Sequence, residues 1–393
     1  MARDNIAPAL TLDYSEWASS DPQTKDEFVK QLREACSGLG FFYLINTPLT
    51  KKDSGASLRD RVFDINRRFF ELPLEVRQSI RIDNSRHFRG FTKFGDERTR
   101  GNVDHRDQID YGPEVEPVPA ELCEKHPFLN LLGPNQFMPD SALEGHRAVV
   151  LEYFEACRRL SVDLTTAIEL ALLNKVDGSL LRFLEGQGGK EQEMGRRPYA
   201  RMKTIRYPMA ARETVDGIPR LKESTQGVGA HKDGMWITLL CTSQHGGLQV
   251  QSLAGEWLDV PPRPDAVIVN FGQQIERVSQ GVINAASHRV LSTADSASAA
   301  LGDRLSVAYF ASPALNAQID PLPQESLSRE IIEAWKKARE ERKRALGSEE
   351  AISDVPKGDL WGAEDSAFGE QAWRGITRSH PNVVERWKYA LPV

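Results

Sequence analysis

The feature that most constrains this fold is a change in hydrophobic period near Tyr199. Before that residue, apolar side chains recur every three or four positions, as on one face of an amphipathic helix. After it, short apolar runs such as MWITLLCT, GGLQVQSL and DAVIVNF follow one another, separated by turn residues such as Gly246-Gly247. Six or more short strands at this spacing are typical of an antiparallel barrel or sandwich. The chain is therefore predicted to be an α+β protein with its β-structure in the second half.

The same pattern divides the chain into four regions, which we expect to form one structural domain. The regions are an N-terminal set of helices and strands (1–140), a long helix and loop (141–198), the β core (199–323), and a C-terminal helix and tail (324–393).

The C-terminal region combines an amphipathic helix with a tail rich in Gly and Trp. Leu327, Ile331, Trp335 and Ala338 lie at helical spacing and predict an apolar stripe that packs on the rest of the protein. The tail that follows, about residues 359–393, has the composition of a flap that closes over a ligand. The alternative is a helix and tail that only stabilise the fold or a dimer.

Two helix boundaries can be predicted from local residues. Thr24 and Glu27 have the spacing of a capping box, so the first long helix is expected to begin at Thr24. A second long helix is expected from about Ser141 to Leu173, followed by a loop around Lys190.

Composition excludes several classes of protein. The 393 residues carry a net charge of -6, which argues against a general nucleic-acid-binding surface. The four cysteines are scattered without a CxxC pair, so neither a zinc ribbon nor a thioredoxin-like motif is expected. The first residues lack the apolar stretch of a signal peptide, and no run of 18 apolar residues occurs. A soluble, cytoplasmic monomer or homodimer without a membrane partner is therefore expected.

A His-Lys-Asp sequence is the strongest candidate for chemistry. Residues i and i+2 of a strand point to the same face, so His231 and Asp233 can present an imidazole and a carboxylate side by side. His288 lies in another predicted strand, ASHRVLS, which a barrel can bring opposite the first. Two histidines and one carboxylate leave coordination positions open, as non-haem Fe(II) oxygenases require. The three residues are therefore predicted metal ligands.

A predicted anion site follows the second histidine. Arg304 and Ser306 open the strand RLSVAYF and share a face, so a guanidinium and a hydroxyl point the same way. Guanidinium binds a carboxylate bidentately, and the hydroxyl can add a hydrogen bond. Tyr207, in KTIRYP, can supply a third donor.

Taken together, these motifs resemble the isopenicillin N synthase-like family of 2-oxoglutarate/Fe(II)-dependent dioxygenases. The resemblance rests on HKDGMWITLLCT, ASHRV and RLSVAYF in the second half and on LREACSGLGFFYLIN and FFELPLEVR in the first. It covers about residues 8–323 and implies a distorted double-stranded β-helix, a jelly-roll or cupin-like barrel, flanked by helices. It implies that His231, Asp233 and His288 bind iron and that Arg304, Ser306 and Tyr207 bind 2-oxoglutarate.

The resemblance also implies a reaction. Dioxygen and 2-oxoglutarate would be consumed, with ascorbate as a possible reductant, while a C–H bond of a small molecule is oxidised. Hydroxylation is the default outcome, desaturation and ring formation are the variants, and a role in specialised metabolism is expected. No catalytic residue beyond the metal ligands is predicted. Trp236, His245 and Phe271 are candidates for the substrate pocket.

Three other functions stay open at this point. An iron oxidase of the same fold would use the Arg/Ser pair to hold a substrate carboxylate, without 2-oxoglutarate. A zinc hydrolase could also use two histidines and a carboxylate, but it would need no Arg/Ser pair. A non-catalytic small-molecule-binding protein could keep the fold, but it would not need three metal ligands.

Overall fold

The structure is a computed structural model. It describes residues 6–52, 55–99, 102–185, 199–208, 214–215, 218–219, 226–291, 301–346 and 367–389. The loop predicted around Lys190 and Trp361 of the predicted flap lie outside the described residues.

The helices precede the β core or follow it, apart from one short helix that interrupts it. They are α1 (Tyr14–Trp17), α2 (Pro22–Ser37), α3 (Leu58–Glu71), α4 (Leu74–Arg77), α5 (Ala120–Lys125), α6 (His146–Leu173), α7 (Leu181–Glu185), α8 (Gln273–Val278), α9 (Arg329–Leu346), α10 (Phe368–Ser379) and α11 (Pro381–Trp387).

Most strands lie after residue 199, as the change of period predicts. They are β1 (Leu10–Asp13), β2 (Phe41–Ile45), β3 (Gly90–Thr92), β4 (Arg98–Thr99), β5 (Asn102–Val103), β6 (Asp107–Tyr111), β7 (Ala200–Tyr207), β8 (Thr214–Val215), β9 (Ile218–Pro219), β10 (Gln226–His231), β11 (Ile237–Thr242), β12 (Leu248–Gln251), β13 (Trp257–Asp259), β14 (Ala266–Phe271), β15 (His288–Leu291) and β16 (Arg304–Ala311).

Two sheets form the body of the barrel. The large sheet has the order β1-β2-β14-β11-β16-β7-β6-β3, and the small sheet has the order β10-β15-β12-β13. All neighbours are antiparallel except β1 and β2. This arrangement confirms the predicted jelly-roll core with flanking helices.

The large sheet has two different faces, because alternate residues of a strand point to opposite sides. One face packs against the helices in an extensive apolar core, the helix-side core, to which α2, α3 and α6 contribute. The other face meets the small sheet around a smaller apolar cluster inside the barrel. Val228, Val250 and Val290 of the small sheet meet Ile205 and Ile268 of the large sheet there.

The two predicted helix starts differ from the observed ones. α2 begins at Pro22, because the side chain of Asp21 accepts hydrogen bonds from the backbone and hydroxyl of Thr24 and caps the helix. α6 begins at His146, because Gly145 adopts a left-handed conformation with φ of 76° and ends the preceding turn.

The C-terminal region packs onto the fold as the stripe predicts. Leu327 and Ile331 are buried in the helix-side core, and the indole of Trp335 donates to the carbonyl of Gly281. Further along, Phe368 and Trp373 of α10 join the same core. Among the described residues, no helix is both long enough and apolar enough to cross a membrane.

Candidate metal centre

His231, Asp233 and His288 converge at one point. Their ligand atoms all lie within 4.8 Å of one another. The Nε2 atoms of His231 and His288 are each 3.7 Å from Oδ1 of Asp233. The two imidazole rings lie 4.3 Å apart, centroid to centroid. Such a set of nitrogen and carboxylate donors suits a divalent transition metal.

The backbone fixes the tautomer of both histidines. Nδ1 of His231 is 2.8 Å from the carbonyl of Gly229, and Nδ1 of His288 is 3.1 Å from the carbonyl of Ala286. Because a carbonyl oxygen can only accept, each Nδ1 must carry the hydrogen. The lone pair of each neutral ring is therefore on Nε2, the atom that faces Asp233.

Asp233 comes from a loop rather than from the strand that carries His231. The strand β10 ends at His231, and β11 begins only at Ile237. Backbone hydrogen bonds from Gln273 to Asp233 and from Gly272 to Trp236, both 2.8 Å, tie the loop to the end of β14. A Cβ on Gly272 would lie 2.0 Å from the carbonyl oxygen of Met235, so this close approach requires glycine.

Two neighbouring side chains orient the Asp233 carboxylate. Thr238 of β11 and Asn270 of β14 both donate to Oδ2 of Asp233, which leaves Oδ1 toward the histidines. Burial raises the pKa of Asp233, but the two histidines and these hydrogen bonds outweigh it and lower the pKa. Thr238 and Asn270 were not singled out from the sequence, although each is a polar residue within an apolar strand, ITLLCT and AVIVNF, and this could have identified them.

Burial and the neighbouring His288 lower the pKa of His231 to about 4. The ring is thus neutral near pH 7 and its Nε2 lone pair is available for coordination. The side chain of His231 is 34% exposed, so solvent reaches the cluster at this residue.

Arg304, Ser306 and Tyr207 form a second group inside the barrel. Arg304 pairs with Tyr207 across β16 and β7, and its guanidinium lies 4.8 Å from the centre of the Tyr207 ring. The guanidinium also donates to the hydroxyl of Ser306 at 2.7 Å and to the carbonyl of Gly246 at 3.1 Å. These are the three residues that the sequence predicts for an anion site.

Arg304 is buried without a carboxylate partner. It is 4% exposed, and burial lowers the pKa of its guanidinium. No ion pair joins it to an acidic side chain within the part of the chain that the structure describes. A buried cation is costly unless it is paired, so this group is suited to an anionic ligand.

Of the three candidates for the substrate pocket, Trp236 and Phe271 lie on the other side of the large sheet, which corrects the expectation for these two, whereas His245 stays a prediction. Trp236 and Phe271 belong to the helix-side core, where the Trp236 indole donates to Thr165 of α6. The neighbour of Phe271 on β14 points inward instead, because Asn270 donates to Asp233. His245 contacts the hydroxyl of Ser243 and the carbonyl of Gly302, both at 2.9 Å, and so fastens the loop beside Arg304.

Comparison with known protein families gives two matches. Residues 202–313 match the model of the 2OG-Fe(II) oxygenase superfamily. Residues 11–140 match the model described as the N-terminal region of non-haem dioxygenases in morphine synthesis. The first match contains all six of the predicted metal and anion ligands.

Two named proteins are similar over most of the chain. A 2-oxoglutarate-dependent dioxygenase, frbJ, of Dothideomycetidae sp. (strain 11243) is 31% identical over 98% of this chain and 93% of its own length. A homoarginine-6-hydroxylase of Arabidopsis thaliana, 2-ODD-C23.1, is 31% identical over 75% of this chain and 80% of its own length.

A solved structure shares the fold. It is the crystal structure of a full-length Neurospora crassa protein in complex with alpha-KG and 5-formyluracil, and it superimposes with a TM-score of 0.63. The match covers 88% of this chain and 100% of that chain at 22% sequence identity.

Proposed function

The chain belongs to the 2OG-Fe(II) oxygenase superfamily, whose members use Fe(II), 2-oxoglutarate and dioxygen, and from this premise we propose that His231, Asp233 and His288 hold its iron. The observation that carries the assignment is the convergence of their three ligand atoms within 4.8 Å. When bound there, the iron supplies the oxidising chemistry, with 2-oxoglutarate converted to succinate and carbon dioxide. The enzyme is a dioxygenase that oxidises a small molecule, with hydroxylation as the default outcome.

Arg304, Ser306 and Tyr207 are the proposed anchor of 2-oxoglutarate. The guanidinium supplies the positive charge and a planar pair of donors for a carboxylate, and the two hydroxyls add hydrogen bonds. The lack of a described carboxylate partner for Arg304 supports this role. Thr238 and Asn270 are positioning residues, because they act on the metal only through Asp233.

The substrate is proposed to be a small polar metabolite. The similar plant proteins named homoarginine-6-hydroxylases make free homoarginine the first compound to test. We further propose a cytoplasmic location and action as a monomer or homodimer, without nucleic acid.

The anchor can be tested by measuring how much 2-oxoglutarate the enzyme needs. Arg304→Ala should raise the apparent KM for 2-oxoglutarate about tenfold or more, since a buried charge pair is worth roughly 2–5 kcal/mol. Ser306→Ala removes one hydrogen bond to the carboxylate, which is charge-assisted and worth about 1.5–3 kcal/mol, so a rise of roughly tenfold is expected. Iron content should stay unchanged in both variants.

The matched control is Arg206→Met, which removes a buried arginine from the other face of the same sheet. Arg206 pairs with Asp107, so its replacement should not change the KM for 2-oxoglutarate. An unchanged KM in Arg304→Ala, or turnover without added 2-oxoglutarate, would contradict the anchor and favour an oxidase of the same fold.

A further inference from the structure

Five ionised side chains cluster on the interior side of β6 and β7. This ion cluster consists of Glu97, Arg106, Asp110, Arg201 and Lys203. Lys203 lies 2.9 Å from Glu97 and 3.8 Å from Asp110. Arg106 lies 2.9 Å from Glu97, and Arg201 lies 2.6 Å from Asp110. None of the five side chains is more than 12% exposed.

The register of the large sheet places this cluster near the metal ligands. Thr238, which donates to Asp233, lies opposite Phe310 on the neighbouring strand, and Phe310 lies opposite Arg201 on the next. Two strand spacings separate Thr238 from Arg201 by about 10 Å. Phe310 and Leu240 are partly exposed although they lie in the middle of the sheet. The barrel interior between the two groups is therefore reached by solvent at these two positions.

Together with Asp104, a partner of Arg106, the ion cluster carries no net charge, although all of these side chains are ions. Arg106 also pairs with Asp104 at 3.3 Å, so three acidic and three basic side chains balance. Burying six charges is costly, and a buried ion pair is weak evidence for stability. The charges of the proposed metal and 2-oxoglutarate sites also sum to zero. The positive charges of Fe(II) and Arg304 equal the negative charges of Asp233 and the two carboxylates of 2-oxoglutarate.

His380 brings an unpartnered polar atom to the same place. It lies between α10 and α11, is 2% exposed, and its Nε2 has no hydrogen-bond partner among the residues that the structure describes. The groups whose charges act on it include Glu97, Asp110 and Lys203. Burial lowers its pKa to about 4, so the ring is neutral near pH 7. Such an atom is costly to bury unless a ligand completes its hydrogen bonds.

Further atoms of the cluster have unused hydrogen-bonding capacity. Within the described part of the chain, the Nε atoms of Arg106 and Arg201 lack acceptors, and the side-chain oxygen of Gln108 lacks a donor. Gln108 occupies the same face of β6 as Asp110, to which its amide donates at 2.8 Å. Donors and acceptors are thus both available beside groups of both charges.

We propose that the ion cluster and His380 bind the primary substrate, and that this substrate is a zwitterion of the free amino acid class. The carboxylate would accept from the arginine Nε–H groups, and the ammonium group would lie against Glu97 and Asp110. An ion of single charge would leave this buried and neutral site with a net charge, whereas a zwitterion keeps it neutral. The inference rests on the proposed iron and 2-oxoglutarate sites, which place the oxidation beside this cluster.

The test uses the whole enzyme with Fe(II), 2-oxoglutarate and air. Succinate formation is measured with each common free L-amino acid and with homoarginine, and then with the N-acetyl amide of each. At least one free amino acid should raise the rate several-fold, and capping its charges should weaken the effect about tenfold or more. The proposal is overturned if no free amino acid exceeds its capped derivative. Loss of iron binding and of substrate-free succinate formation would instead indicate failure of the proposed metal site.

Four variants distinguish a role of the ion cluster in substrate binding from a role in protein stability. Lys203→Met and His380→Ala should each raise the apparent KM for the stimulating amino acid about tenfold, and His380→Gln should recover part of the loss. The control Arg206→Met removes a buried ion pair from the opposite face of β7. It should lower stability without changing this KM. A similar KM in all four variants and the unaltered enzyme, or an equal rise in the control, would show that the cluster is structural.

Discussion

The two faces of the large sheet differ sharply although they share every strand. On β7, Met202 faces the helix-side core, whereas Lys203 and Ile205 face the barrel interior. On β11, Leu239 is fully buried under the helices, while its neighbour Leu240 points inward and is partly exposed.

This difference shows how the fold separates stability from chemistry. The helix side is closed and mainly apolar, so it supplies the hydrophobic free energy of folding. The interior is open, polar and charged, which is costly for folding but suits ligands. Because one strand serves both faces, a rigid helix-side core fixes the positions of the interior side chains.

The largest expected effect tests this separation with two adjacent leucines. Leu239→Ala should lower the free energy of unfolding by about 2–5 kcal/mol, the usual cost of a buried leucine. The folded fraction should keep its iron content and its KM for 2-oxoglutarate. Leu240→Ala should cost clearly less in stability but change substrate-stimulated turnover. Urea unfolding and succinate assays check both variants, and equal losses of stability would contradict the distinction between the faces.

A smaller effect concerns two threonines. Thr238→Val removes a hydrogen bond to Asp233, so the affinity for iron should fall roughly tenfold to a hundredfold. Thr204 of β7 faces the helices, and no described residue forms a hydrogen bond with its buried hydroxyl. Thr204→Val should therefore leave iron affinity unchanged and stability equal or higher. Metal titration followed by elemental analysis measures the iron affinity of both variants. Equal affinities would show that Thr238 does not position Asp233.

The smallest effect is a pH dependence from the helix side. His146 is fully buried, its Nδ1 accepts from the backbone of Met138, and its Nε2 contacts the hydroxyl of Tyr111. Burial lowers its pKa from 6.5 to about 4. Below pH 6.5 the unfolded chain takes up a proton that the folded protein does not, so stability present above pH 6.5 is lost as the pH falls toward 4.

The variant His146→Gln keeps both hydrogen-bonding roles without titrating. Between pH 7.5 and pH 5 it should lose about 2 kcal/mol less stability than the unaltered protein. Urea midpoints at the two pH values measure the difference. Identical pH profiles would mean that His146 is not held neutral by the fold.

The sequence predicts the barrel and the six proposed ligands because both depend on local alternation. His231 and the Arg304–Ser306 pair lie in strands where the spacing of two applies directly. Asp233 lies in a loop, so the two-residue spacing of a strand does not explain its position. Backbone hydrogen bonds from Gly272 and Gln273 fix that loop in place instead.

Two kinds of feature could not be predicted in the same way. At the start of α2, Thr24 and Glu27 suggested a capping box, but Asp21 is the cap and Pro22 opens the helix. The second feature is the segment that carries Glu97 and Arg106, which contains the short strands β4 and β5. Its charges lie inside the barrel, but their partner Lys203 on β7 is distant in the sequence, so this pairing could not be predicted from local spacing.

For residues 324–393, the structure tests the packing of the predicted helix but not the closure of the predicted flap. The α9 stripe is packed as expected, and Gln371 of α10 accepts a hydrogen bond from Gln274, which also donates to Gly234 next to Asp233. The C-terminal helices therefore reach the metal loop. Closure of the tail over a ligand stays a prediction, as do the four region boundaries.

Iron content in two aspartate variants tests the central claim most directly. Asp233 and Asp107 are both buried carboxylates, but one belongs to the proposed metal centre and the other pairs with Arg77 and Arg206 on the opposite face. Elemental analysis after anaerobic loading with Fe(II) should show that Asp233→Ala has lost most of its iron and forms no succinate. Asp107→Asn should keep stoichiometric iron in its folded fraction. Stoichiometric iron in Asp233→Ala, or equal loss in both variants, would contradict the proposed metal centre.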